Sequence, residues 1–465
     1  MFRLAIPLLV AVSLTHSAVA DEKPNLVFVI ADDCTFRDIG CYGGQAITPN
    51  IDGLATEGML FTRCYQSAPM CSPKRHNIYS GQYPVKSGAY PNHTRVNPGV
   101  DTVVQYLGEL GYRVGQSGKS HVNPNSIFTW ETLGKDKNPD FDQMDAFLSE
   151  CRANSQPFCL LVCSNEPHTP WNKGDPSQYP LDAIELPPYL FDTPETREGM
   201  SRYLAEITYY DWQVGQTLAL LDKHEVADNT LVVVVSEQGS SMPFAKWTCY
   251  DSGLQSACLV RWPGKVKPGQ KNHALIEYVD FLPTFVEAAG GVPGASLDGK
   301  SLLPVFSGKQ QHKEFVFGEM TTRGIINGST HFGIRSVRSS RFKYIWNFTP
   351  DVPFQNACVK SPEFKSWVRE AEKGNEQAKD LVHRYQHRPG IELYDVVADP
   401  FEMNNLAADP EHATTLTSVR DELDAWMKRC GDEGQATELQ AHEHQGVGRK
   451  KNASGQKKAR KQRSN

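Results

Sequence analysis

Three short, uninterrupted apolar runs constrain this chain most. Residues 25–31 read Asn-Leu-Val-Phe-Val-Ile-Ala, 158–162 Phe-Cys-Leu-Leu-Val, and 231–235 Leu-Val-Val-Val-Val. Each is short, branched at Cβ and free of apolar–polar alternation, which suits a strand buried on both faces of a parallel sheet. Residues 112–115 are a weaker fourth candidate. Helical patterns lie between the runs. One helix starts at Pro49 after a capping Thr48 and stops at Gly58, and others cover 101–110, roughly 195–223, and 280–289. This alternation predicts an α/β fold: a doubly wound, mostly parallel sheet sandwiched by helices. After about residue 308 the pattern changes. Residues 333–338 and 342–346 read as a hairpin joined at 339–341, followed by a strand over 391–394 and a closing helix over 416–428. These predict a smaller C-terminal α+β subdomain with an antiparallel sheet, over 309–432, behind a main domain over 21–308.

The two ends of the chain differ from this body. Residues 1–20 combine a positive start at Arg3, an apolar stretch over 4–14 and a small-x-small site at Ala18-Val19-Ala20. That is the pattern of a signal peptide cleaved after Ala20, so a secreted or periplasmic protein is expected. No later stretch is apolar enough to span a bilayer. Residues 433–465 are expected to be a basic, disordered tail that includes Arg449, Lys450, Lys451, Lys457, Lys458, Arg460, Lys461 and Arg463. The whole chain carries a net charge of −6, so without those eight the body stands at about −14 by charge counting. Such a body is a poor partner for nucleic acid, and an anionic substrate must be met by a local cluster of positive charge. The 11 cysteines show no paired metal-binding spacing, and they leave disulfides open without fixing a connectivity. Asn92, Asn327 and Asn347 head glycosylation sequons, usable only in a host that glycosylates.

Polar residues follow each buried run. Asp32-Asp33 ends the first, Lys119 and His121 follow the fourth, His168 follows 158–162 by a short loop, and Glu237-Gln238 ends 231–235. Ligands of open α/β sheets bind at the carboxyl edge of the strands, so these groups are expected to converge on one rim. Taken singly, each has an ordinary explanation: a turn-forming acid pair, a hydrogen-bonded structural histidine, a surface lysine such as Lys119 or Lys246. Together, three carboxylates and an amide oxygen make a hard-cation site suited to Ca²⁺ or Mg²⁺.

The sharpest motif is Met70-Cys71-Ser72-Pro73-Lys74-Arg75. Its bland reading is a buried cysteine before a proline-started helix. Its chemical reading puts Cys71 at a helix N-terminus, where backbone N–H groups favour anions, with Arg75 one turn later on the same face. A plain thiol is a poor neighbour for a hard cation, whereas an oxygen-bearing group at position 71 would suit one.

Cys71-Ser72-Pro73-Lys74-Arg75 resembles the Cys-x-Pro-x-Arg maturation signature of the type I sulfatases, relatives of alkaline phosphatase, in which the cysteine is oxidised to Cα-formylglycine. Residues 25–33, 48–52, Gly118-Lys119-Ser120-His121, Pro167-His168, Arg261-Trp262-Pro263-Gly264, 392–395 and 399–406 match further family landmarks in order. The resemblance implies an alkaline-phosphatase-like fold and one calcium ion, in preference to magnesium, held by Asp32, Asp33, Glu237, Gln238 and the modified Cys71. It implies maturation by a formylglycine-generating enzyme or an anaerobic sulfatase-maturing enzyme. It also implies roles. A hydroxyl of the hydrated aldehyde attacks sulfur, and Lys119 and Lys246 neutralise the sulfuryl oxygens. Arg75 holds the metal-bound hydroxyl, His168 with Lys246 protonates the leaving group, and His121 takes the proton that lets sulfate go. Two departures stand out: Lys74 where the family usually has a small residue, and Glu237-Gln238 where Asp-Asn or Asp-His is usual. Residues 239–246, the absence of an aromatic between Lys119 and His121, and the 333–348 hairpin resemble heparan N-sulfatase. An N-sulfoglucosamine-type substrate is therefore expected ahead of an O-sulfated sugar. Arg335, Arg338 and Arg341 are expected to be solvated strand-face charges or contacts for an anionic sugar. The rival readings are a phosphoester or phosphonate hydrolase, and a non-catalytic glycan-binding protein should Cys71 stay a thiol.

Overall fold

A computed structural model describes residues 23–445; the signal-peptide segment and the basic residues from Arg449 onward lie outside them. The strands of the large sheet are β1 (Asn25–Ile30), β2 (Met59–Tyr65), β3 (Arg113–Gly118), β4 (Glu131–Leu133), β5 (Phe158–Cys163), β6 (Thr230–Val235), β7 (Gln255–Arg261), β8 (Gln270–Asn272) and β9 (Ile276–Glu277). They lie side by side in the order β4-β3-β5-β1-β6-β7-β2-β8, with β9 also paired to β2. Only β7 runs against its neighbours β6 and β2.

The three apolar runs are the three central strands, and their alternate residues feed two separate cores. Val27, Val29, Leu160, Val162, Val232 and Val234 pack on one face, beneath the long helix Pro194–Lys223 and the helix Phe141–Ala153. Leu26, Phe28, Ile30, Leu161, Val233 and Val235 pack on the other, beneath Phe281–Ala288 and Val103–Glu109. A strand whose side chains all meet protein has no use for a polar alternate, hence the unbroken runs. Each fully buried Val or Leu contributes roughly 1.5–3 kcal/mol. β2 and β7 were not expected as strands. Thr62 and Arg63 interrupt the apolar pattern of β2 where its pairing with β7 shifts register, and β7 opens on the polar pair Gln255-Ser256.

The expected helices are present, with one change of detail. Thr48 does not cap the helix Pro49–Glu57 through its side chain; its hydroxyl instead donates to Asp52 Oδ1 at 2.9 Å. The free N–H groups of that helix are met from another element: Asp211, on the long helix, accepts from Ile51 N at 2.8 Å and Asn50 N at 3.2 Å.

The C-terminal subdomain is a four-stranded antiparallel sheet of β10 (Val316–Thr321), β11 (Gly333–Arg338), β12 (Phe342–Asn347) and β13 (Ile391–Asp395). The helix Ala413–Cys430 packs on it through Leu423, Trp426 and Met427. Two further helices, Pro362–Glu372 and Glu376–Gln386, were not expected. Nor does folded structure stop at residue 432. The helix Gln435–Gln440 follows, with Glu438 fully buried and bonded to Thr321, so residues 433–445 belong to the body.

The structure bears on three further readings. Arg335 and Arg338 are neither solvated strand charges nor placed for a sugar, whereas Arg341 is exposed to solvent. Arg335 and Arg338 are ion-paired inside the protein, to Asp432 and Asp251, while Arg341 pairs with Asp395 at the surface. All eleven cysteines are unpaired. Of the sequon asparagines, Asn347 is buried between Pro389 O and Glu392 and Asn92 lines the cavity described below, so neither is an open glycan acceptor.

Candidate active site

The carboxyl ends of β1, β3, β5 and β6 open onto one cavity of about 1000 Å³, lined among others by Cys71, His93, Lys119, His121, His168 and Lys246. The acids lie beneath it. Asp32 and Asp33 leave β1, Glu237 and Gln238 leave β6, and all four are fully buried. One ligand oxygen from each of Asp32, Asp33 and Glu237 lies within 4.8 Å of the others. Asp33 adopts φ 65° and His121 φ 53°, left-handed conformations that cost a non-glycine residue about 1–2 kcal/mol and persist only where neighbours impose them. Gly118, at φ 85°, makes the turn out of β3; a Cβ there would strike the Cys163 carbonyl. The turn carries Lys119 toward the acids.

Every acid meets a cation. Lys119 pairs with Asp32, and Lys246 Nζ lies 2.6 Å from Asp33 Oδ1. Glu237 receives both Lys74 and Arg75, the latter at 2.9 Å. Burial alone would push Glu237 up, but Lys74 and Arg75 beside it bring its carboxyl down to about 2. Gln238 Nε2 donates to Asp33 Oδ1 at 2.7 Å, leaving Gln238 Oε1 buried without a partner. Three close carboxylate oxygens and one orphaned amide oxygen are the donor set of a hard divalent cation, so the residues fit the calcium that the resemblance implies.

The Cys71 sulfur is not part of the three-acid group. Cys71 is the first residue of the helix Cys71–Ser80, and burial raises its thiol pKa even though Lys246 stands close by. A thiol held protonated is a weak nucleophile. Arg75 Nη1 donates to Lys119 O at 2.5 Å, tying the Cys71 helix to the lysine loop.

The two histidines differ. Burial, reinforced by Lys119, holds His121 far below the usual imidazole range, so it is neutral at pH 7; its Nε2 lies 3.0 Å from His93 Nδ1. His168 is lowered to about 4, chiefly by burial. Its Nδ1 sits 2.6 Å from Thr169 O, and its Nε2 faces Asp33 Oδ2 at 3.7 Å. Burial lowers Lys119 to about 7 against the pull of Glu237, and Asp33 raises Lys246 against its burial.

All the residues expected at the site thus meet on one rim. Sequence reasoning missed three contributors. Lys74 entered only as a departure from a signature, His93 only as the middle of a sequon, and Ser241, which donates to Asp33 Oδ2 at 2.8 Å, only within the stretch 239–246. Trp171, Trp247, Ile325 and Ile326 also line the cavity. The last two come from the loop between β10 and β11, so the small subdomain forms part of the wall.

Comparison with known proteins shows the family of the chain. The sulfatase family profile matches residues 24–292, and a second profile, N-sulphoglucosamine sulphohydrolase C-terminal, matches 239–353. An ulvan-active sulfatase of Formosa agariphila is 33% identical over 432 residues, spanning 90% of this chain and 83% of that protein. Human N-sulphoglucosamine sulphohydrolase is 28% identical over 462 residues, spanning 88% and 90%. A protein solved with its substrate D-glucosamine-2-N,6-O-disulfate shares the fold with a TM-score of 0.69, at 21% identity, covering 89% of this chain and 99% of that one. The chain belongs to the sulfatase family, the hydrolases of sulfuric esters.

Proposed function

We propose that the protein removes sulfate from a sulfated sugar, using a formylglycine made from Cys71 and one calcium ion. The observation that carries this reading is the meeting of Asp32, Asp33 and Glu237 beneath a cavity lined by Cys71, Lys119, His121, His168 and Lys246. Cys71 as a thiol is buried and protonated beside a hard-cation cradle, whereas an oxygen nucleophile at that position would match the cradle's chemistry. Calcium, when bound by Asp32, Asp33, Glu237 and Gln238, supplies concentrated positive charge against the sulfuryl oxygens. Lys119 and Lys246 face the same cavity and stabilise charge growing on those oxygens. His168 hands a proton to the departing oxygen or nitrogen. The arriving sulfate raises its proton affinity by offsetting the lysine charges that oppose protonation. His121, neutral and lining the same cavity, is the proton acceptor.

The favoured substrate is an N-sulfoglucosamine-type sugar. Support comes from the human relative, similar over nearly the whole chain, and from the second profile, whose match covers the β10–β11 loop on the cavity wall. The higher identity to an ulvan-active sulfatase favours a second reading, an O-sulfate on another glycan. Sulfate release from N-sulfo-, 6-O-, 3-O- and 2-O-sulfoglucosamine and from ulvan oligosaccharides separates them. Release from the N-sulfo sugar alone supports the first; release only from ulvan or O-sulfo sugars overturns it. Mass spectrometry of tryptic peptide 64–74 tests the nucleophile: an aldehyde at position 71 is expected, and an intact thiol in fully active protein would refute it.

A further inference from the structure

Lys74 is fully buried one helical position before Arg75, and its ammonium lies against Glu237 Oε1. The Arg75 guanidinium takes the same oxygen. Both cations therefore occupy one side of a single carboxylate, while Glu237 Oε2 faces the backbone N–H of Asp33 at 3.4 Å. Around the cradle, three carboxylates meet four cations: Lys74, Arg75, Lys119 and Lys246. The first two pair with Glu237 alone. A glutamate is one methylene longer than an aspartate, and that length lets one carboxylate serve the lysine as well as the acid group.

We propose that Lys74 is a positioning residue that acts through Glu237 as a fixed counter-charge of the metal cradle, holding one oxygen of that carboxylate and setting a weak affinity for divalent cations. The inference rests on the calcium reading above. Like charges a few ångströms apart repel strongly even at an effective dielectric constant of about 20. Removing the Lys74 charge therefore strengthens divalent binding by at least about tenfold by the same reckoning. The lysine would make metal occupancy depend on the calcium concentration around an exported enzyme.

Calorimetric titration with calcium chloride alone, on the full chain, tests this without reading activity. Lys74→Met removes the charge and keeps the bulk. The double variant Lys74→Ser/Glu237→Asp shortens both partners, in case the single variant does not fold. Lys74→Arg keeps the charge. The expected result is a calcium Kd at least tenfold lower in the Met or double variant and little changed in the Arg variant. Tight binding by those variants and none by the wild type supports the proposal as well. Equal or weaker binding in the charge-removing variants, with the wild type binding normally, overturns it and leaves the calcium reading intact. No binding by any of the proteins overturns both.

Discussion

Lys246 grips Asp33 through both carboxylate oxygens, 2.6 Å to Oδ1 and 2.7 Å to Oδ2. The same ammonium lines the cavity in front of Cys71. Lys246 is therefore held by an acid of the cradle while it presents its charge to whatever enters. Its pKa is raised, so it stays charged across the neutral range.

Lys246→Ala should lower kcat by about 10²–10³, the usual effect of deleting one preorganised donor to a developing oxyanion. KM should change less. The check is steady-state kinetics on an aryl sulfate, with calcium held saturating. A variant that loses only KM would mean that Lys246 binds substrate and transition state equally.

The two histidines should separate by leaving group. His168→Ala should cost about 10²–10⁴ in kcat on a sugar substrate and far less on an aryl sulfate whose phenolate departs without protonation. His121→Ala should cost the same on both, because its proton transfer does not involve the leaving group. Parallel rate series with phenols of different pKa give the readout: a steeper dependence for His168→Ala and an unchanged one for His121→Ala. The opposite pattern would exchange the roles.

Much of this was legible in the sequence because it depends on local pattern. The runs around Val27, Leu160 and Val233 declare buried strands, and the residues that follow each run fall at the sheet's carboxyl edge, so the sequence alone groups Asp32, His168 and Glu237. What was hidden depends on partners far apart in the chain. Arg335 gives no sign that Asp432, 97 residues on, will bury its charge. Lys74 gives none that a carboxylate 163 residues away will take it. β2 was obscured by Thr62 and Arg63, since tertiary pairing overrides a broken apolar pattern. The helix at 435–440 carries little apolar content, and it is docked by polar contacts with distant residues: Thr321 with Glu438, Tyr90 with Thr437 O, and Gln435 with His331 O.

The Arg335–Asp432 pair predicts where the small subdomain fails first. Both side chains are essentially inaccessible, and Arg335 also donates to Met320 O and Ile334 O. Asp432→Ala leaves the guanidinium buried without its counter-ion, which costs about 3–5 kcal/mol. Chemical denaturation should show that loss, and limited proteolysis should cut first near residues 430–440, where the chain docks on β11. Exposed Arg341, paired with Asp395 across solvent, offers the contrast: Arg341→Ala should change stability by no more than about 1 kcal/mol.

Glu319 predicts a fall in stability with rising pH. One carboxylate oxygen accepts from Val85 N at 2.8 Å, the other has no partner, and burial raises the group to about 8 despite nearby Arg335. Glu438, raised to about 7 by burial, adds to the effect. An unfolded glutamate titrates near 4.3, so between that value and about 8 the folded state binds more protons than the unfolded state. Unfolding free energy then declines as pH rises, by up to about 1.4 kcal/mol per unit for each such group. The stabilising effect of the bound proton is complete below the unfolded pKa and gone above the folded one. Glu319→Gln keeps the shape without the ionisation, so its margin over the wild type should be smallest near pH 5 and grow progressively toward pH 8. Urea denaturation at pH 5, 6.5 and 8 provides the comparison; parallel curves for the two proteins would show that Glu319 is ionised in the fold at every pH tested.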